Sequence, residues 1–372
     1  MDVNSPSAQR IPVAVITGFL GSGKTTLVNA VLKKPACGQA AVVVSEYGEV
    51  GVDHVLIQAP SKRMRLVDGG CMCEYVHEEV AASLLNLLDR RVAGTETDFD
   101  RVLIETSGLG DPVPIIQMLQ VDPEISRHFE LRVVLTMADS LHALQHLDRY
   151  AQSIKQVAVA DVLVLSKVDV AEPQAVEALS ARLRTLNPGA RQVRAAHGDL
   201  DARLLDGTPH QAGGSLAEVR QWLASEAFAS PTADDRSPVR TFSLVHEGEA
   251  TVPGLVLWQH LLSGFRGAGL LRVKGIVNVE GRPYAVHAVQ TIVSEPVPLD
   301  QWPDDDRRSR MVFIVRGLDE QALRDTFAAL RFEGGRDLRN MVIRPEVYAR
   351  FRDTISLFRQ RAPEPAEAAS AR

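Results

Sequence analysis

Short, uninterrupted apolar runs alternate with segments of helical period along the first part of the chain. The runs fall at residues 11–17, 40–46, 101–106, 131–138 and 161–166, and read as VVVS, RVLIET, LRVVL and DVLVLS from the second onward. Stretches of β-branched residues without polar alternation are what strands covered on both faces of a parallel sheet require. Between them, Val76, Val80, Leu84, Leu87 and Leu88 recur at helical spacing, as do apolar positions in residues 172–186. Alternating strand and helix signals predict a doubly wound α/β unit. The sequence has no internal repeat.

The pattern changes at residues 228–240, FASPTADDRSPVR, where Pro, Ser and Asp replace apolar residues and a linker is predicted. Strands follow at 241–245, 271–279, 284–292 and 311–315, with helical segments at 255–262 and 320–330, an order that predicts a smaller α+β domain with an antiparallel sheet. The predicted organisation is a flexible start at 1–10, an α/β domain at 11–228, a linker at 229–240, an α+β domain at 241–359 and a disordered Ala-, Pro- and Glu-rich tail at 360–372.

Composition narrows the function classes. The 372 residues are 45% hydrophobic and 24% charged, an ordinary globular balance that excludes a fibrous or wholly disordered chain. A net charge of −6 argues against nucleic acid as a partner, because phosphate backbones need a concentrated basic face. No apolar run is long enough for a membrane span, and the polar start MDVNSPSAQR lacks a signal-peptide core. Three cysteines make no disulfide framework, so a cytoplasmic setting is expected.

Three segments carry chemistry. Gly18-Phe-Leu-Gly-Ser-Gly-Lys-Thr-Thr26 fits G-x-x-x-x-G-K-[ST] between a predicted strand and a predicted helix. Such a loop turns backbone N–H groups onto phosphate oxygens at a helix N-terminus. Gly18, Gly21, Ser22, Gly23, Lys24, Thr25 and Thr26 are thus candidate nucleotide-binding residues, with Lys24 on the β- and γ-phosphates and Thr25 on Mg²⁺. Glu105-Thr-Ser-Gly108 follows a predicted strand; Glu105 is a candidate Mg²⁺ and catalytic group beside Lys24, and Gly108 a backbone donor to a γ-phosphate. Ser166-Lys-Val-Asp169 nearly fits N-K-x-D. Its aspartate can accept from the guanine N1–H and amine, a pair that adenine does not offer, while Lys167 lays its stem along the base. Ser166 in place of Asn loses an amide expected to brace neighbouring loops.

Cysteines and histidines add a second chemistry. Cys71 and Cys73, at i and i+2 in DGGCMCE, can face one soft or borderline ion such as Zn²⁺, Co²⁺ or Cu⁺. Glu46, Glu49, Glu74, His77 and Glu78 are the nearby candidates to complete the shell, and two small buried cysteines are the competing reading. Cys37 is expected to be structural or incidental. His142 and His146 share one helical face without a third ligand and are expected to be solvated.

These residues together resemble the CobW-type metallochaperone GTPases, relatives of the hydrogenase and urease nickel-insertion GTPases. The resemblance runs over about residues 11–350 and rests on GFLGSGKTT, SEYGEVGVDHVLI, GGCMC, ETSGLGDP, ADVLVLSKVD, LLRVKGIVNVEG and RMVFIVRGL. It implies a phosphate-loop GTPase domain with a mostly parallel sheet, followed by the family's C-terminal α+β domain. It also implies Mg²⁺-dependent hydrolysis of GTP, slow without a partner, coupled to carrying zinc or cobalt to a client metalloprotein, with a homodimer among the compatible assemblies. Cys71, Cys73 and Glu49 match positions linked to metal in such proteins. The family usually carries C-x-C-C where this chain has Glu74, a change that admits harder metals or marks a decayed site. The rival reading is a GTP-dependent activator acting through protein contacts alone, and an ATP-dependent kinase competes poorly against Ser166–Asp169.

Overall fold

The computed structural model describes residues 10–45, 76–93, 99–207, 239–263, 269–290 and 292–333. Its first part contains β1 (Ile11–Gly18), α1 (Lys24–Leu32), β2 (Ala40–Ser45), α2 (Val76–Val92), β3 (Arg101–Thr106), α3 (Val113–Val121) and α4 (Pro123–His128). Then come β4 (Phe129–Asp139), α5 (Ala143–Arg149), α6 (Ala151–Ala158), β5 (Val162–Ser166), α7 (Pro173–Leu186) and β6 (Arg191–Ala195). The six strands form one parallel sheet in the order β2-β3-β1-β4-β5-β6.

Both faces of this sheet are covered, which accounts for the missing polar alternation. In β1, Val13 and Val15 pack with Val80, Leu84 and Leu87 of α2 and Ile115 and Ile116 of α3. Ala14 and Ile16 point the other way, onto Leu27, Val28 and Val31 of α1. The sixth strand lay outside the sequence expectation. RQVRA in β6 is an edge strand mostly open to solvent, so its apolar signal is absent although its pairing with β5 is regular.

The second part contains β7 (Val239–His246), α8 (Val252–Ser263), β8 (Leu270–Val279), β9 (Arg282–Val289), β10 (Ile292–Val293), β11 (Val297–Pro298), β12 (Ser309–Arg316) and α9 (Glu320–Asp325). Five strands run antiparallel in the order β10-β9-β8-β12-β7, and β11 pairs with β9. β7 begins at Val239, two residues before the expected domain start, because Val239 pairs with Arg316 and is buried. The run expected at 284–292 is broken after Val289: Gln290 has φ 51, a left-handed backbone that turns the chain into β10.

β12 shows how the two sheets are joined. Met311, Phe313 and Val315 face Trp258, Phe327 and Leu330 in a helical layer. Ile314 faces the other way and, with Leu271 and Val239, enters a cluster with Val157 of α6 and Leu179 and Leu183 of α7. At this seam Arg272, 1% exposed, donates to Val159 O at the end of α6 and pairs with Asp161. Asp161 also accepts from Val134 N–H at 2.9 Å, and Lys274 Nζ stands 3.5 Å from its carboxylate. Removing Arg272 takes from Asp161 its buried partner, with Lys274 still nearby, and from Val159 O a charged donor. Arg272→Ala is therefore expected to lower stability by about 2–3 kcal/mol, read as a reduced urea midpoint.

Candidate functional site

The site lies at the carboxyl ends of the parallel strands, where order in the sheet places the loops after β1, β3, β4 and β5 side by side. β1 occupies the centre, with Ile16 in register with Glu105 of β3 and Gly18 with Met137 of β4.

The loop from Gly18 to Gly23 turns through positive φ at three glycines, 141° at Gly18, 67° at Gly21 and 94° at Gly23. Gly23 caps α1 without a side-chain hydrogen bond, and the first turn of α1 has no acidic residue. Its N–H groups and positive helix end are thereby presented to an anion. Lys24 is buried, and its Nζ folds back over the loop to donate to Gly18 O at 2.9 Å and Phe19 O at 3.3 Å.

Thr25 Oγ1 donates to Glu105 Oε1 at 2.6 Å. Residues 80 apart in sequence thus bring a hydroxyl and a buried carboxylate together beneath the loop. Hard oxygen donors of this kind suit Mg²⁺, which is usually held by one or two protein oxygens and a nucleotide phosphate. Beside them Thr106 Oγ1 donates to Thr17 Oγ1 at 2.8 Å, tying the ends of β3 and β1.

Gly108 is a glycine for reasons of space. A Cβ there would stand 2.8 Å from the backbone N and Cα of Leu20 in the phosphate loop. The loop after β3 rests directly on the loop after β1.

The Ser-Lys-x-Asp segment ends β5. Ser166 Oγ donates to Ser22 O at 2.7 Å, so the brace expected to be lost with Asn is supplied by the hydroxyl, close enough because β5 ends beside the phosphate loop. Lys167 adopts φ 56, and its Nζ donates to Asp139 Oδ2 at 2.8 Å. Asp139, at the end of β4, also accepts from Leu141 N–H at 2.9 Å and bonds His142 Nδ1 at 3.0 Å. Burial opposes its ionisation, but the hydrogen bonds from Lys167, Leu141 and His142 outweigh it and hold the carboxyl below the ordinary range. Asp169 is exposed, with His197 Nε2 3.2 Å from its Oδ2.

Of the histidine pair, His142 is exposed as the spacing suggested, whereas His146 is drawn against the phosphate loop. His142 precedes α5 and bonds Asp139. His146 packs its ring on Phe19 of the phosphate loop at 4.6 Å, with Tyr150 4.7 Å from the same Phe19 ring. Burial, then the neighbouring His142, depress the His146 pKa. Asp139, His197 and Gln156, whose Nε2 donates to Gly108 O and Gly110 O, escaped the sequence reading because each joins the site only through tertiary contact; His146 was singled out there, but its place against Phe19 was not foreseen. Of the three, only Asp139, a carboxylate closing the run LTMAD, left a trace. Cys71, Cys73, Glu46, Glu49 and Glu74 lie outside the described residues. His77 and Glu78 lie in α2, and among the described residues no cluster of His, Cys, Asp and Glu could hold a metal. Cys37 is free and buried against α1, as expected of a structural thiol.

A parallel sheet that gathers a glycine loop, a strand-end carboxylate and a Ser-Lys-x-Asp turn at one edge defines a phosphate-loop nucleotide-binding protein. Comparison with known families gives the same class and a closer assignment. The "CobW/HypB/UreG, nucleotide-binding domain" matches residues 12–194, and the "Cobalamin synthesis protein cobW C-terminal domain" matches residues 239–331. The chain belongs to this CobW family. It is 32% identical over 325 residues to the zinc chaperone YjiA of Escherichia coli K12, spanning 86% of this chain and 99% of that one. To the zinc chaperone CobW of Pseudomonas aeruginosa it is 27% identical over 353 residues, spanning 84% and 90%. The crystal structure of Zn(II)-bound YjiA GTPase from E. coli superposes with a TM-score of 0.67 at 27% identity, covering 87% of this chain and all of that one.

Two outcomes follow from the geometry. Gly108→Ala drives a methyl into the Leu20 backbone and is expected to weaken nucleotide binding at least about tenfold, as measured by fluorescent-nucleotide titration. Asp139 has a lower pKa folded than unfolded, so its stabilising contribution is present above the unfolded value, near ~3.9, and is lost as pH falls through the folded one. The stability difference between the parent and Asp139→Asn should therefore shrink as denaturation is followed from pH 6 down to about pH 3.

Proposed function

We propose that this protein is a GTP-hydrolysing zinc chaperone that carries the ion to a client metalloprotein. The observation carrying the nucleotide half of this reading is the 2.6 Å contact of Thr25 with Glu105 beneath a loop of left-handed glycines. The relatives named zinc chaperones support the metal half and favour zinc over cobalt.

In this reading the amides of residues 18–26 bind the phosphates, and Lys24 neutralises charge on the β- and γ-phosphates. Thr25 and Glu105 would hold Mg²⁺, which would supply positive charge to offset the negative charge of the phosphates. Gly108 offers its N–H to the γ-phosphate, so the loop resting on Leu20 senses whether that group is present. Lys167, fixed by Asp139, lies along the base, and Asp169 reads the guanine edge with His197 beside it. Lys24 and Glu105 act through charge and positioning, and hydrolysis that rests on these does not require a general base.

Zinc is the cargo. Cys71 and Cys73, with Glu49 and Glu74, are its proposed ligands, and a carboxylate in place of the family's third cysteine keeps an acceptable zinc donor. The segment that bears them lies in sequence between the phosphate loop and the loop sensing the γ-phosphate. GTP and zinc affinities are therefore reciprocally linked. The two family matches, to residues 12–194 and 239–331, support two domains, the second beginning at Val239 rather than at residue 241. No helix among the described residues is long and apolar enough to cross a membrane, which agrees with the proposed cytoplasmic location.

Titration of metal-stripped protein with Zn²⁺ against a chromophoric chelator, in GDP·Mg²⁺ and in a non-hydrolysable GTP analogue, tests the reading. Tight binding that shifts between nucleotides and disappears in Cys73→Ser is the expected result. No zinc binding in either state would overturn it in favour of an activator working through protein contacts. Asp169→Ala is expected to weaken GTP binding about a hundredfold, the loss of two charge-assisted hydrogen bonds, and to leave ATP binding unchanged in the same assay.

A further inference from the structure

α6 contributes a buried carboxamide that the assignments above leave unused. Gln156 is 1% exposed, and its Nε2 donates to Gly108 O at 3.1 Å and to Gly110 O at 3.0 Å. Both carbonyls belong to the loop that follows β3. Only the amino end of the carboxamide can face two carbonyls, so the orientation is fixed by its partners. The opposite end, Oε1, is buried and makes no hydrogen bond among the described residues. Ser22 Oγ in the phosphate loop is likewise buried without one, and both residues line the same small cavity with Phe19 and Asp139.

The neighbouring residue extends the grip. Lys155 Nζ donates to Asp111 Oδ2 at 3.1 Å, and Asp111 Oδ1 accepts from Val113 N–H at the start of α3 at 3.0 Å. Residues 108–111 are therefore held by α6 on one side and stopped by the Leu20 backbone on the other. The helix is itself immobilised. Asn187 Nδ2 donates to Val157 O, Ala158 O and Ala160 O at 2.8, 3.2 and 2.9 Å, and Arg272 donates to Val159 O.

We propose that Gln156 is a positioning residue for GTP hydrolysis, its two N–H groups fixing the carbonyls of Gly108 and Gly110 so that the turn carrying the Gly108 N–H is held in place facing the γ-phosphate. The proposal rests on the GTPase reading above. A flexible glycine loop samples many peptide orientations, and anchoring two of its carbonyls to a rigid helix removes that freedom before nucleotide arrives. A residue that merely filled the core would affect GDP and GTP states alike. One that positions the sensor of the γ-phosphate discriminates between them.

The test uses the full chain and two variants. Gln156→Met keeps length and volume but donates nothing; Gln156→Asn keeps the carboxamide but is one methylene too short, and serves if the first does not fold. For each, affinities for GDP and for a non-hydrolysable GTP analogue are measured in Mg²⁺, with kcat and KM for GTP. The expected result is GDP affinity unchanged within about twofold, analogue affinity reduced about tenfold and kcat reduced at least about tenfold, the scale of one or two neutral hydrogen bonds. Equal losses for both nucleotides, or no loss, would overturn the proposal while leaving the GTPase reading standing. A parent protein that hydrolyses no GTP sinks both.

Discussion

A turn that passes through left-handed glycines has no side chains of its own to hold its shape, so what it touches decides its geometry. The loop after β1 is gripped from three directions. Thr25 is drawn to Glu105 on one flank, Ser166 reaches Ser22 O on the other, and Gly108 sits against Leu20. Two of these grips come from the end of β3 and the third from the end of β5, so the loop is only as well formed as the parallel register of β3, β1, β4 and β5. Backbone donors that must meet charged oxygens without reorganising are best built on such a rigid edge.

α6 ties this edge to the rest of the molecule. Its last turns hold the loop after β3 through Lys155 and Gln156, and its C-terminal end accepts Arg272 from β8. One short helix thus touches both the loop proposed to sense the γ-phosphate and the antiparallel sheet. The apolar cluster that joins Val157, Leu179, Leu271 and Ile314 runs through the same place. The contact between sheets is therefore packed like an interior, and the buried arginine adds direction to it where apolar packing alone would not.

Much of the fold was legible in the chain. The parallel strands of the first sheet announced themselves as unbroken apolar runs because both faces are covered, as Val13 and Ala14 illustrate by packing in opposite directions. β6 was silent since one edge of it meets water, and the break at Gln290 was hidden within an apolar run that only backbone conformation interrupts. Family resemblance carried the reading further than spacing alone could, and the matches over residues 12–194 and 239–331 agree with it.

The sequence by itself determined the local chemistry. A glycine loop ahead of a lysine and threonine, a carboxylate closing a strand and an aspartate three residues after a serine are all contained within short windows, where covalent connection fixes the spacing. Tertiary structure alone decided which groups outside those windows serve them. Asp139 fixes Lys167, His146 stacks on Phe19, Gln156 holds Gly108 and Gly110, and Arg272 locks α6 to the second sheet. These pairs are separated by 28, 48 and 113 residues for Asp139–Lys167, Gln156–Gly108 and Arg272–Val159. Nothing in a residue's neighbours along the chain records a partner that far away, because the contact exists only once strand order and helix packing have brought the two together.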